Sequence, residues 1–449
     1  MTTIDTWSTT TRSWEVLSPL ADPIVGIVRR QYRKLRDVDD IWGHSIGAHG
    51  TDSGVVFGVP SNAYNGGGSP DPVSAELAAI GETVERYSAS YPPVDSDKVI
   101  KGTSASLRAD NKDVIDADDW QLFASCQYSN ANFPYSRWDD DVSLWWRKGT
   151  DAVSGEGVWT PAQLIHMAGP WRGEEAIGYA TSNGLACGIT PVEAALSGLF
   201  EVVERDAFML TWYNRISLPL LRIESSDRLH SYIKRYVSPT YLDPYLVDMT
   251  VYTGIPTILA VIRSRHSSLA PFALGAASAA NIERAAEKAV TEAMYTRTWM
   301  KTEQREGRAI LDTNYFESVK SFEDHIRLYA GTPLIAEADF LTSSTESTDV
   351  DNHQRFPEDG PQRLWNALVD RLTELGHRVL TFDVTSRPDI REAGAAVVRT
   401  VIPGMRPIDV AYNARFLGGS RLLELPYELG LVHHPLTIDE LNPAPHPFP

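Results

Sequence analysis

Twelve residues of this chain occur twice in one register. AELAAIGETVER (75–86) aligns without a gap to AALSGLFEVVER (194–205) at an offset of 119, keeping Ala, Leu, Glu, Val, Glu and Arg in place. Both copies must be helical for the pattern to make sense. At about 100° per residue, Leu196, Leu199, Val203 and Ala207 fall on one side and Ser197, Glu201, Glu204 and Arg205 on the other. One such helix is explained by a solvated face on which Arg205 pairs Glu201 a turn away. Recurrence points further, because two glutamates whose charges repel return with their arginine while the intervening residues outside the apolar side differ. If the two helices faced each other, Glu82, Glu85, Glu201 and Glu204 would form a cluster stable only with bound Mg2+ or Ca2+, or with some carboxyls protonated. IERAAEKAVTEAMYTR (282–297) echoes the pattern weakly, with Glu292 one turn after Lys288.

Magnesium held by carboxylates commonly takes phosphate oxygens as its remaining ligands, so glutamates interspersed with Arg and Lys suggest a nucleoside triphosphate site. The chain has no GxxxxGK[ST] and no kinase HRD or DFG element, which excludes a P-loop or protein-kinase site. A formal charge of −18 argues against a nucleic-acid partner. With 43% hydrophobic and 22% charged residues, the composition is that of a globular protein, and no apolar run reaches membrane-spanning length. The start, MTTIDTWSTTTRSWEVL, lacks the basic and apolar regions of a secretion signal, so a cytoplasmic location without membrane contact is expected. Cys126 and Cys187 are the only cysteines, which fits a reducing compartment and gives structural zinc no ligand set.

Periodicity predicts a mixed α/β chain. IVRRQYRKLR (27–36) is expected as the exposed face of an N-terminal helix, and SNAYNGGGSPDP (61–72) as a turn-rich loop leading into the first glutamate helix. SLWWRKGTDAVSGEGVWTPAQLI (143–165) has the pattern of strand, hairpin loop and strand. Thr190 and Pro191 read as N-cap and first residue of a helix running through Phe208. Residues 245–264 hold two β-rich runs, GAASAAN (275–281) a small-residue loop, and a helix begins near Ile282. The acidic stretch 341–361 is expected as a linker or mobile loop, followed by a helix (363–375) and two strands (377–385 and 395–404).

GETVER (81–86), TSNGLACGITPVEAALSGLFEVVERDA (181–207), AAEKAVTEAMYTR (285–297), VIPG (401–404) and the terminal PHPFP (445–449) resemble, in this order, the YcaO proteins. DPIVGIVRR (22–30) looks like the opening strand of that family, so the resemblance covers roughly residues 18–449 as a single YcaO-type domain. It implies β-sheets flanked by helices, an internal pseudo-repeat of glutamate-bearing helices, and a site for ATP and Mg2+. Carried over by position, Glu82, Glu85, Glu201, Glu204 and Glu292 look like the magnesium-side carboxylates. Glu193, Arg205 and Lys288 look like nucleotide contacts. The chain departs from the usual pattern at Ala78, where Ser is common, at Ile189, where Asn is common, and at Lys288, where Arg is more usual.

The ending PHPFP matches the PxPxP tail of the members that make azolines in ribosomal peptides, in which residues 443–449 would reach the active site and Pro449 would supply a terminal carboxylate as proton acceptor. The reaction so implied is ATP-dependent cyclodehydration of Cys, Ser or Thr in a precursor peptide, giving thiazoline or oxazoline. No separate leader-binding module is recognisable, so a partner protein is implied that captures the precursor; a homodimer is also suggested by the family. Two alternatives stay open: a scaffold subunit with weak ATP use, motivated by Ala78, Ile189 and Lys288, and thioamide or amidine formation. Cys187 is expected as a turn or core residue, His433 and His434 as loop residues, and Trp145 and Trp146 as core or rim aromatics of a strand.

Overall fold

The computed structural model describes residues 6–52, 54, 64–90, 97–169, 173–307, 315–331 and 333–448. Pro449 and residues 61–63 of the glycine-rich segment lie outside the described residues. The chain divides into two compact units, one of Met1–Lys34, His44–Val202 and Pro357–Met405 and the other of Leu35–Gly43, Val203–Phe356 and Arg406–Pro449.

Three strand-and-helix pairs place the glutamates: β1 (Tyr64–Ser69) and α1 (Pro72–Ala89), β2 (Leu185–Gly188) and α2 (Pro191–Tyr213), and β3 (Phe272–Ser278) and α3 (Ile282–Arg305). Each helix starts on a polar cap that relieves an orphan N–H of its first turn. Asp71 accepts from Ser74 N–H (2.7 Å), Thr190 from Glu193 N–H (3.2 Å) and Asn281 from Arg284 N–H (2.9 Å). Pro72 and Pro191 occupy first helical positions, where the missing N–H costs nothing.

In the first unit β1 ends an antiparallel sheet ordered Val28–Arg33, His44–Gly50, β1. A second sheet runs Asp113–Val114, Gly157–Pro161, Leu144–Asp151, Leu380–Asp383, Ala396–Val401, β2, with Val99–Gly102 also paired to Leu144–Asp151. Ala75, Ala79, Ile80 and Val84 of α1 pack into one apolar core with Leu185, Phe382 and Val397. In the second unit β3 ends a sheet ordered β3, Thr257–Arg263, Asp243–Asp248, Leu220–Leu221, Ser347–Thr348. There Ile258, Ala260 and Ile262 meet Ala285, Ala289, Val290 and Ala293 of α3. Segment 35–43 is tied to α3 by ions: Asp37, Asp39 and Asp40 face Lys301, and Arg297 reaches Asp39 at 2.5 Å, so this acidic trio is neutralised by protein cations.

Four expectations need correction. YNGGGS is strand β1, because Gly67 lets the strand backbone lie directly on α1; a Cβ there would sit 2.4 Å from Ala75 O. GAAS (275–278) is the end of β3 for the same reason, a Cβ on Gly275 falling 2.3 Å from Ala293 N. Residues 28–33 form a strand and not a helix: Gln31 and Arg33 reach Glu76 on one face, and Tyr32 meets His49 edge-on on the other. Long polar side chains on both faces hid the two-residue period. The acidic stretch 341–361 supplies strand Ser347–Thr348, parallel to Leu220–Leu221, and Asp349 pairs with Arg222. Hairpin strands Leu144–Asp151 and Gly157–Pro161, the helix Pro361–Glu374 and the strands Leu380–Asp383 and Ala396–Val401 stand where expected.

Gly67→Ala and Gly275→Ala should each destabilise the protein by about 1–3 kcal/mol, the usual cost of overpacking against atoms that cannot yield. Gly81→Ala, whose Cβ would meet only Cys187 Cβ at 3.9 Å inside α1, should be neutral or stabilise by up to about 1 kcal/mol. Urea midpoints of the three variants check the close strand-to-helix packing; an unchanged midpoint for Gly67→Ala would refute it.

Candidate active site

One hydrogen bond recurs in all three pairs. Gly66 N–H donates to Glu82 Oε2 (3.2 Å), Gly184 N–H to Glu201 Oε2 (3.0 Å) and Ala276 N–H to Glu292 Oε2 (3.1 Å), the glutamate following its donor by 16, 17 and 16 residues. Each donor belongs to, or directly precedes, a strand that ends its sheet among the described residues, so the N–H has no ladder acceptor there on that side. The helix carboxylate takes that place and is thereby aimed.

Within the first unit Glu82, Glu85 and Glu201 come together. Arg86 lies 3.6 Å from both Glu82 and Glu85. Glu85 is mostly buried, and its carboxyl is held well above the ordinary range, chiefly by burial, then by the charges of Glu201 and Glu82 against the pull of Arg86 and Arg399. Arg399, buried in strand Ala396–Val401, donates to Asn183 O (2.8 Å) and Thr181 O (2.6 Å). Burial lowers its guanidinium to about 10 while Glu201 and Glu85 oppose the loss of charge. This arginine escaped the sequence reading, although a lone cation inside AAVVRTVIPG was a visible signal. Cys187 sits by Glu85, and burial followed by that carboxylate pushes its thiol up to about 12, which suits a packing role.

Within the second unit Glu204, Arg205 and Glu292 come together. Arg205 pairs Glu204 at 3.3 Å and Glu292 at 3.5 Å, and its guanidinium lies 4.1 Å from the centroid of the Phe448 ring. The face is not simply solvated: Glu204 is 8% exposed and the arginine also reaches across to α3. Lys288 keeps solvent access; crowding by surrounding protein and the charge of Arg284 lower its ammonium, and Glu204 and Glu292 oppose them. Glu193 stands apart from these groups. It is two turns before Glu201, about 12 Å along the helix axis, and accepts Ser8 N–H at 2.8 Å. Pro449 lies outside the described residues, but residues 444–448 before it are buried.

Hard carboxylate oxygens gathered around Glu85, whose carboxyl is held well above its ordinary range chiefly by burial, with guanidinium groups beside them, form a donor set that fits a divalent cation carrying phosphate oxygens. A family model for YcaO cyclodehydratases, described as ATP- and Mg2+-binding, matches residues 66–406. The chain belongs to the YcaO family. Its cofactors are accordingly ATP and Mg2+. An uncharacterized protein from the tfuA 3′ region of Rhizobium leguminosarum bv. trifolii is 32% identical over 217 residues, which is 46% of this chain and 48% of that one. The chain thus spans about half the length of the relatives it matches. Among solved structures, a heterocyclase in complex with substrate and cofactor superposes with a TM-score of 0.81 at 23% identity, over 99% of this chain and 58% of that one. YcaO from Methanopyrus kandleri, bound with AMPPCP and Mg2+, superposes with a TM-score of 0.61 at 17% identity, over 89% and 92% of the two chains. These likenesses establish the YcaO heterocyclase fold. No helix among the described residues is long and apolar enough to cross a membrane.

Because the folded-state value of Glu85 is raised above the ordinary 4.5, the folded metal-free protein keeps a proton that the unfolded chain has lost in the interval between the two values. Stability must then fall as pH rises through that interval. Thermal melts of metal-free protein from pH 4.5 upward should show the wild type losing more stability than Glu85→Gln; parallel curves would exclude a protonated Glu85.

Proposed function

We propose that this chain is an ATP-dependent cyclodehydratase that converts Cys, Ser or Thr residues of a ribosomal precursor peptide into thiazolines or oxazolines. The observation that carries this is the gathering of Glu82, Glu85 and Glu201 in one unit and of Glu204, Arg205 and Glu292 in the other, each cluster aimed by a strand N–H. Family membership and a heterocyclase neighbour described in complex with substrate and cofactor support it.

When bound, magnesium and ATP supply a neutralised γ-phosphoryl group that activates the amide oxygen as a leaving group after the side chain of Cys, Ser or Thr has added to the amide carbon. Glu82, Glu85, Glu201, Glu204 and Glu292 are the residues that would hold the metal, and the bonds from Gly66, Gly184 and Ala276 keep three of those carboxylates from swinging away. Arg205 and Lys288 would face the nucleotide phosphates, and Glu193, two turns before Glu201, would be a more distant nucleotide contact. The terminal carboxylate of Pro449 accepts the amide proton. Its approach is supported by the burial of Phe448 against Phe208, at a ring separation of 4.8 Å, and beneath Arg205. The precursor peptide is presented by a separate leader-binding protein, and the chain acts as a homodimer in the cytoplasm.

Glu201→Gln and Glu204→Gln should each weaken binding of magnesium–ATP by more than the roughly 10- to 100-fold that loss of an outer-sphere partner costs, with an unchanged circular dichroism spectrum. Wild-type affinity in both variants, read by calorimetry, refutes the site. Deleting Phe448 and Pro449 should slow cyclisation far more than it weakens ATP binding. With precursor, partner and ATP present, mass spectrometry should record one water lost per modified residue. ATP turnover with sulfur replacing oxygen would point to thioamide chemistry, water lost where no Cys, Ser or Thr is modified to amidine chemistry, and no turnover to a scaffold subunit.

A further inference from the structure

The tail, described as far as Phe448, is seated on the helix Phe322–Tyr329 by groups that none of this chemistry uses. Tyr329 Oη donates to Pro445 O (2.6 Å), and Trp212 Nε1 donates to Ala444 O (2.9 Å). Between them lie two imidazoles, His325 and His446, stacked at 4.0 Å with planes 12° apart and each 2% exposed. Phe448 N–H donates to His446 Nδ1 (3.3 Å), so that nitrogen is the acceptor and Nε2 carries the proton given to Asp409 O (3.0 Å). His446 is therefore neutral, in a tautomer its partners dictate.

His325 differs. Its Nδ1 lies 2.8 Å from His446 O and its Nε2 lies 3.0 Å from Val410 O. Both neighbours are carbonyl oxygens, which only accept, so a neutral ring serves one and turns a lone pair towards the other. Only the imidazolium donates to both.

We propose that His325 is the positioning residue for the C-terminal tail, a two-armed clamp that ties His446 C=O to Val410 C=O when protonated and releases one of them when neutral. This rests on the proposed role of the tail in cyclisation. The charged and titratable groups around the clamp are few. Asp324, next to His325 in its helix, favours the cation; His446 stacks on it as a neutral ring, and Arg205 of α2 acts on His446. Asp409 turns its carbonyl towards His446, while its carboxyl, raised to about 6 by burial, accepts from Tyr213 Oη and from Phe416 N–H (2.7 Å). Burial lowers the His325 value below the ordinary 6.5, against the pull of the two carbonyls.

The test measures cyclisation by the full chain with precursor, partner and magnesium–ATP. His325→Phe, which removes both arms, should lower kcat by about tenfold in acid where the wild-type ring is protonated, the scale of one hydrogen bond to a charged group. Its affinity for magnesium–ATP should stay that of the wild type, and the penalty should vanish once Phe448 and Pro449 are deleted. His325→Gln, whose single amide donor mimics the neutral ring, should match the wild type at high pH and fall behind it as pH drops below 6.5, so that the ratio of the two rates rises towards acid. A flat ratio, full activity in His325→Phe, or a penalty that persists in the truncated chain overturns the clamp while leaving the tail reading intact. A truncated chain that is itself fully active overturns the tail reading, and the clamp with it.

Discussion

The bond from an edge-strand N–H to a glutamate on the next helix is the contact on which the rest of the molecule depends. It ties an unpaired backbone donor of a sheet to the functional face of a helix, so sheet and helix cannot shift without moving the carboxylate. At Glu82 and Glu292 both oxygens are engaged: Oε2 takes the strand N–H, and Oε1 faces Arg86 or Arg205. Such a carboxylate is held by geometry before any cation arrives, which removes ordering cost from binding. The requirement propagates backwards into the sequence. The helix must follow the strand within a few residues, and strand and helix backbones must nearly touch, which explains Gly67 and Gly275 beneath their helices and the contact of Gly198 with Gly184, where a Cβ would lie 2.3 Å from the Gly184 oxygen.

The two units manage the resulting crowding of charge differently. The first buries it: the Glu85 carboxyl is held well above its ordinary range, and Arg399 lies in a fully buried strand where two backbone carbonyls accept from it and the charge of Glu201 opposes the loss of its own. Removing either kind of partner would strand a charge in low dielectric, the costly way to break such a group. The second spreads it, with one guanidinium between Glu204 and Glu292 and an accessible Lys288 beside them.

Legibility in the sequence followed the physics of each element. The register of AELAAIGETVER with AALSGLFEVVER was readable because a 3.6-residue period over twelve positions leaves little freedom, and the caps at Thr190 and Asn281 mark helix starts by a local bond. That Glu82, Glu85 and Glu201 meet followed from like charges recurring together. What stayed hidden needed a partner distant in sequence. Glycine in NGGGS signals a turn when judged alone and a close-packed strand only once α1 lies on it. Arg205 looked bound to Glu201 by helix spacing, yet Glu292, 87 residues on, competes for it. His325 carried no local signal at all, since its two acceptors are 121 and 85 residues away.

Arg205 joins the carboxylates of the second unit to the tail. A planar guanidinium can pair Glu204 and Glu292 at its edge while lying over the Phe448 ring with its face. A lysine ammonium has no such division between edge and face, so the arginine retained at the end of both ExxER copies is not interchangeable with the lysine tolerated at position 288. The copies diverge in what the arginine serves. Arg86 is shared between the two glutamates of its own helix, whereas Arg205 also reaches a glutamate on α3 and the ring of Phe448. One helix pattern, used twice, has become a closed ion cluster in the first unit and a hinge point between ion cluster and tail in the second.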